Sequence, residues 1–306
     1  MRPQRDPVSG ELQLTACPRL TSDTKLVGKS IIGELNLSEL FVSKLGRRIP
    51  LYLLVPRTKR HFTPATTNLL AFHDAARAKT SKKETATRQA ELRKAVSPGL
   101  IEVIVGDSEG SLIRDAGACL LMQETLLYAE DGAFSARCSC SAPLRRRLTR
   151  RASLVNAADK MPTISSLVAP LGRPYKQSFS MDPDPTNPAV HVIDLSWAAR
   201  LYKLVFQAGH YSMATRTIDV VPGFEAYSLA FAEAFWKAVE GAGTAVDVAC
   251  GGGAFVMVEL IERLRAGESA LLAEVKKTFS TPAARKQAEA SKAKGSKLLL
   301  EKLNTL

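Results

Sequence analysis

Aromatic side chains are few in this sequence, 6% of 306 residues, and carboxylates are outnumbered, 30 Asp and Glu against 42 Lys and Arg for a net charge of +12. The first shortage argues against modules that read nucleic-acid sequence by stacking bases on aromatic platforms. The second leaves an excess of cations that favours nucleic acid or anionic surfaces as partners and says nothing of the fold. No apolar run reaches the ~18 residues of a membrane span, so no membrane association is expected. Met1-Arg2-Pro3-Gln4-Arg5-Asp6-Pro7 has no apolar stretch of the secretory kind. The five cysteines (Cys17, Cys119, Cys138, Cys140, Cys250) are odd in number and scattered, which points to reduced thiols in an intracellular, cytoplasmic protein. Cys138-Ser139-Cys140 has the wrong spacing for a zinc knuckle, and no histidine stands near it, so neither metal nor cofactor is expected.

Where cations do occur they are concentrated. Leu144-Arg145-Arg146-Arg147-Leu148-Thr149-Arg150-Arg151 carries five arginines in seven positions, with no carboxylate from Arg137 to Asp159. Adjacent guanidinium groups repel one another unless an anion joins them, and phosphate matches their geometry. A solvated loop is the plainer reading. Lys82 and Lys83 fall within Asn68–Lys94, a stretch free of Gly and Pro whose far end lacks an apolar stripe. Lys292, Lys294 and Lys297 fall in a third cluster, residues 276–306, where eight cations oppose Glu289 and Glu301. These ten residues, Arg145, Arg146, Arg147, Arg150, Arg151, Lys82, Lys83, Lys292, Lys294 and Lys297, are the candidate contacts to an RNA phosphate backbone, in a sequence-tolerant mode.

The pattern along the chain predicts an α+β architecture: a strand-rich N-terminal half, a helical C-terminal half and a basic C-terminal tail. Residues 1–25 read as an extended arm. Residues 26–155 read as strands, notably Ile31–Leu37, Ile49–Val55, Leu100–Val105, Ser111–Arg114, Ala118–Tyr128 and Ala133–Ser141, with a basic helical insertion over 68–94. Closely spaced prolines mark a connection over 156–189. Apolar spacing predicts helices over Asp194–Phe206, Phe224–Glu240 and Ala254–Arg265 within a domain spanning 190–275. Residues 276–306 have no apolar face before Leu298 and read as a tail that is helical only when neutralised. No internal repeat is evident.

Ala245-Val246-Asp247-Val248-Ala249-Cys250-Gly251-Gly252-Gly253 resembles the first motif of S-adenosylmethionine-dependent methyltransferases, a strand, an acid and a glycine turn opening a helix. That resemblance implies cofactor contacts at Asp247, Gly251, Gly252 and Gly253. The motif opens a doubly wound sheet, however, and only 53 residues follow Gly253. A glycine-mediated close contact among helices is the competing reading.

Ala, Ser and Pro total 81 of 306 residues, in a basic chain. This composition resembles the proline-alanine-serine-rich proteins of polymycoviruses, which accompany a double-stranded RNA genome, and more broadly RNA-virus coat and nucleocapsid proteins. The resemblance implies a non-enzymatic, self-associating, virion-associated RNA-binding protein. The alternatives are the methyltransferase and a structural subunit of a larger ribonucleoprotein.

Overall fold

The computed structural model describes residues 28, 32–55, 61–78, 83–107, 109–129, 161–172, 192–212, 215–291 and 293–305. The chain divides into two compact units, residues 1–104 with 124–155, and residues 105–123 with 156–306.

The first unit is helical where strands were expected. Ile32–Glu34 is a single 3-10 turn, followed by α1 (Leu37–Val42), α2 (Arg48–Leu54), α3 (Pro64–Ala78) and α4 (Thr85–Gly106). Helix α2 is the run read as a strand. Its residues Ile49 to Leu54 are all buried, so no face is left to show a period. An apolar run buried on every side cannot be told from a central strand by periodicity. The stretch 100–105, also read as a strand, forms the last turns of α4, with Leu100, Ile101 and Ile104 buried at helical spacing. Ser111–Arg114, which belongs to the second unit, is α5, and Ala116–Tyr128 is α6, of which residues 121–127 are again buried throughout. Among the described residues the expected strand-rich half contains no strand; Ala133–Ser141 lies outside them.

The polar face of α4 has an occupation inside the protein. The Gln89 amide donates to the carbonyls of Tyr52 and Leu53, at 3.3 and 2.7 Å. The Arg93 guanidinium donates to that of Leu54 at 2.8 Å. These carbonyls end α2 and have no partner within that helix, so α4 caps α2 with side chains. Arg88 is only 2% exposed, and Arg93 also lies over the Tyr128 ring. Gln89 and Arg93, which read as polar surface, are satisfied contacts with α2.

In the second unit α7 (Pro162–Val168) and a 3-10 turn at Val192–Asp194 precede α8 (Ser196–Gln207). A two-stranded hairpin follows, β1 (Gly209–Ser212) against β2 (Thr217–Val220), pairing Tyr211 with Ile218. It is the only sheet among the described residues, and it lies in the half expected to be helical. Then come α9 (Glu225–Gly241), α10 (Ala245–Cys250), α11 (Ala254–Ala266), α12 (Leu271–Phe279), α13 (Pro282–Ala290) and α14 (Lys294–Asn304). The core is an aromatic cluster: Tyr202 and Phe206 of α8 meet Phe231 and Phe235 of α9 at ring separations of 5.2–6.0 Å. Three polar tips of the aromatic core are satisfied, while the buried Trp236 ring N–H has no partner among the described residues. The Tyr202 hydroxyl donates to the Leu167 carbonyl, Tyr227 shares a 2.7 Å hydrogen bond with Thr163, and the Trp197 ring donates to the Ile113 carbonyl.

The segment 276–306 carries the end of α12 and two further helices, α13 and α14, seated on the body of this unit. Val275, Phe279, Ala284, Ala288, Leu299 and Leu303 are buried. The contact residues of α13 are alanines, whose small size lets helices approach closely and leaves no apolar stripe for a sequence reading to detect. The Ser291 and Ser296 hydroxyls donate to the last carbonyls of α10, Cys250 and Ala249, at 2.8 and 2.7 Å. Pro282 at the first helical position and Thr281 as N-cap start α13.

Candidate functional site

Three helices of the second unit run side by side in one direction. Lys203 of α8 meets Phe255 of α11, and four residues on along both helices Gln207 meets Glu259. Gly295 of α14 lies against Ala254 and Phe255, and seven residues on along both helices Lys302 pairs with Glu262. Matching advance on both members of each pair means α8, α11 and α14 are parallel. Such a row is a repeat in space with no counterpart in the sequence.

The row is polarised. At one end the N-termini of α11 and α14 stand together, and neither N-cap, Gly253 or Ala293, supplies a side-chain acceptor. The positive ends of two helix dipoles meet there, and that of α11 is offset in part by the Asp194 carboxylate, which accepts from the Gly252 N–H. Arg200, Lys294 and Lys297 are exposed here, and Lys203 lies over the Phe255 ring at 5.7 Å. Among the described residues Arg200, Lys294 and Lys297 enter no ion pair. Toward the other end charge is compensated. The Gln207 amide donates to Glu259 at 2.8 Å, and Glu262 pairs with Lys302. Burial raises the Glu259 carboxyl above its ordinary pKa, an effect the Gln207 hydrogen bond and Lys203 offset in part. A hollow of about 370 Å³ beyond them is lined by Ile261, Glu262, Arg265, Ala266 and Lys302.

Of the residues singled out from the sequence, Lys294 and Lys297 lie at the cationic end of this row. Lys83 belongs to the first unit, where its ammonium pairs with Glu91 at 2.7 Å. Arg145, Arg146, Arg147, Arg150, Arg151, Lys82 and Lys292 lie outside the described residues. The sequence reading missed Arg200, Lys203 and Phe255. Their signal was there: Arg200, Lys203 and Gln207 share one polar helix face, and Phe255 stands off the buried stripe of Val256, Met257, Leu260, Ile261 and Leu264.

The glycine motif has a different geometry from the methyltransferase turn it resembles. Ala245–Cys250 is a helix, where that motif needs a strand. The Gly252 N–H donates to Asp194 at 3.0 Å, and a Cβ at Gly252 would stand 2.9 Å from the same oxygen. A Cβ at Gly253 would stand 2.6 Å from Val248. Asp247 accepts a 3.1 Å hydrogen bond from Gln287. Gly252 and Gly253 admit close packing of the Val192–Asp194 turn and of Val248. Among the described residues no group of three or more His, Cys, Asp or Glu is placed to hold a metal ion, and none of the helices is long and apolar enough to cross a membrane.

Residues 42–216 match the family described as the CPL (NUC119) domain. Over 297 residues, 96% of the chain, the sequence is 27% identical to Pumilio homology domain family member 6 of Schizosaccharomyces pombe, of which it covers 38%. Over 117 residues, 38% of the chain, it is 36% identical to Pumilio homolog 3 of Mus musculus, covering 18% of that protein. The chain thus spans well under half the length of these relatives. Its fold is similar to that of human Puf-A, with a TM-score of 0.58, 20% identity, and coverage of 95% of this chain and 47% of the other. Human Puf-A in complex with DNA gives 0.56 and 21%, with coverage of 95% and 46%.

These findings overturn the resemblance to polymycoviral proteins, and with it the coat, nucleocapsid and double-stranded-RNA expectations: the relatives are fission-yeast and animal proteins. Alanine is abundant because helices pack on it, as at Ala284 and Ala288, and a compositional match of that origin carries no ancestry. The match covers more than half of the sequence, and the chain belongs to the CPL (NUC119) domain family.

Proposed function

We propose that this chain is a non-enzymatic nucleic-acid-binding protein that holds the phosphate backbone of RNA at the cationic end of the α8–α11–α14 row. One observation carries the reading: on three adjacent parallel helices Arg200, Lys203, Lys294 and Lys297 gather where two helix N-termini meet, with no protein carboxylate paired to the exposed three among the described residues. Such a concentration of positive charge costs energy unless an anion neutralises it, and a polyanion does so at several points at once. Contacts of this kind go to phosphates, so the binding tolerates sequence. The structure of human Puf-A in complex with DNA supports the reading, as does the close packing of the glycine turn on Asp194 and Val248, which favours binding over methyl transfer. Arg145, Arg146, Arg147, Arg150 and Arg151 extend the same role by their charge. The test is photocrosslinking to a thiouridine-containing RNA followed by peptide mapping. Adducts on peptides from 196–207, 254–266 and 293–305 support the assignment, and adducts confined to residues 32–107 reject it.

A further inference from the structure

We infer that Phe255 is a stacking platform for an unpaired base, so that the cationic end of the row takes single-stranded nucleic acid in preference to duplex. The inference rests on the reading above and adds the kind of strand. Phe255 is 44% exposed on a helix whose other large apolar residues are 6% exposed or less. Burial alone would have drawn the ring inward, yet it lies where α11 and α14 begin.

Its position is built on both sides. Gly295 brings the α14 backbone against it: a Cβ there would stand 3.1 Å from the ring carbon Cδ2 and 2.7 Å from Ala254 Cβ. On the α8 side the Lys203 ammonium sits 5.7 Å from the ring centroid. The α14 backbone at Gly295 abuts one edge of the ring and holds it before any ligand arrives, and the lysine ammonium covers the ring until a base takes its place. Every nucleobase has a π face to offer such a ring, so stacking adds affinity without reading sequence. The ammonium on its flexible stem is free to exchange the ring for the phosphate of the same nucleotide.

Charge decides the class of occupant. Lys203 lies over the ring, and the exposed Arg200 and Lys294 stand on the two flanking helices, so the ring suits a flat group joined to an anion, and a nucleotide is such a group. In a duplex the base faces are already stacked on their neighbours, and only unpaired bases can reach the ring. The scarcity of aromatics along the chain is compatible with one such platform placed on a backbone-binding surface.

The experiment compares fluorescence anisotropy of labelled oligouridine, about 12 nucleotides long, with that of a duplex of equal length, at fixed salt. Phe255→Ala is expected to weaken the single strand by about 5- to 100-fold, to leave the duplex unchanged and to keep the salt slope. Phe255→Trp is expected to retain affinity and to gain an emission that oligouridine quenches, and it keeps the proposal testable where the alanine variant folds poorly. A Phe255→Ala protein that is folded and binds the single strand as before overturns the stacking role. So does an equal loss for strand and duplex, or an indole emission in the Phe255→Trp variant that saturating oligouridine leaves unquenched. If lysine substitutions still weaken binding in that event, the backbone-binding reading survives. If the unaltered protein binds neither ligand, both fall.

Discussion

The ammonium of Lys203 stands 5.7 Å above the Phe255 ring centroid, joining two parallel helices whose sequences lie 52 residues apart. One turn further on, Gln207 and Glu259 repeat the connection at 2.8 Å, and on the other flank Lys302 and Glu262 make the third. What distinguishes the two ends of the row is compensation. Carboxylates meet the lysine and the amide at one end; at the other, among the described residues, none is paired with Arg200, Lys294 or Lys297, and Asp194 accepts from the Gly252 N–H instead.

Removing the Ser296 hydroxyl tests whether the C-terminal helices are part of the body. The hydroxyl is buried and donates to the Ala249 carbonyl at 2.7 Å. Ser296→Ala is expected to cost about 1–3 kcal/mol in urea unfolding, because a buried acceptor is left without its donor. A change inside experimental error would show that residues 276–306 are not fixed to α10.

The capping of α2 by α4 makes a separate claim within the first unit. Gln89→Ala removes the donor to two carbonyls and is expected to lower stability by about 1–2 kcal/mol. Lys83→Ala, which breaks an exposed pair with Glu91, is expected to cost under about 1 kcal/mol. Reversal of that order in thermal melts would contradict the assignment of Gln89 as a structural residue.

Glu259 gives a pH signature. Burial raises its folded-state pKa above the unfolded value, so its favourable contribution is complete below the unfolded carboxylate pKa and is lost as pH rises through the folded one. At neutral pH the ionised side chain is therefore a burden on the fold. Glu259→Gln is expected to raise Tm at pH 7 and to change it little near pH 3.5, below the usual carboxylate pKa. An increase of equal size at both pH values would rule out ionisation as the cause.

Gly253→Ala forces a methyl group toward Val248 and is expected to destabilise the fold, while calorimetry of the unaltered protein with S-adenosylmethionine is expected to show no heat. Saturable heat would revive the cofactor reading of Gly251–Gly253.

The parts legible in the sequence were those with one buried face. Trp197, Leu201, Leu204 and Val205 mark α8 by their spacing, and Phe224, Tyr227, Phe231, Phe235 and Trp236 mark α9, so both helices fall within a residue or two of their expected bounds. Two of the stretches read as strands, α2 and much of α6, are buried on all sides, where period vanishes, while the end of α4, α5 and the Ile32–Glu34 turn are too short for their partly exposed faces to show one. Helix α13 escaped for the opposite reason, since its contacts are Ala284 and Ala288 and a methyl group makes no stripe. The hairpin β1–β2 is four residues a side with β2 wholly exposed, too short and too polar for alternation to show. At the candidate site, Lys294 and Lys297 were legible by charge, whereas Lys203 and Phe255 are joined only by the register of two distant helices.

The salt dependence of RNA binding tests the central claim most directly. Replacing Arg200, Lys203, Lys294 and Lys297 together by Gln removes the cationic end and leaves the Glu262–Lys302 pair in place. The slope of log K against log salt is then expected to flatten by about 0.7 for each phosphate no longer neutralised, with affinity falling for every RNA sequence alike. A folded quadruple variant with unchanged slope and affinity would place the nucleic-acid surface elsewhere on the molecule and contradict the account.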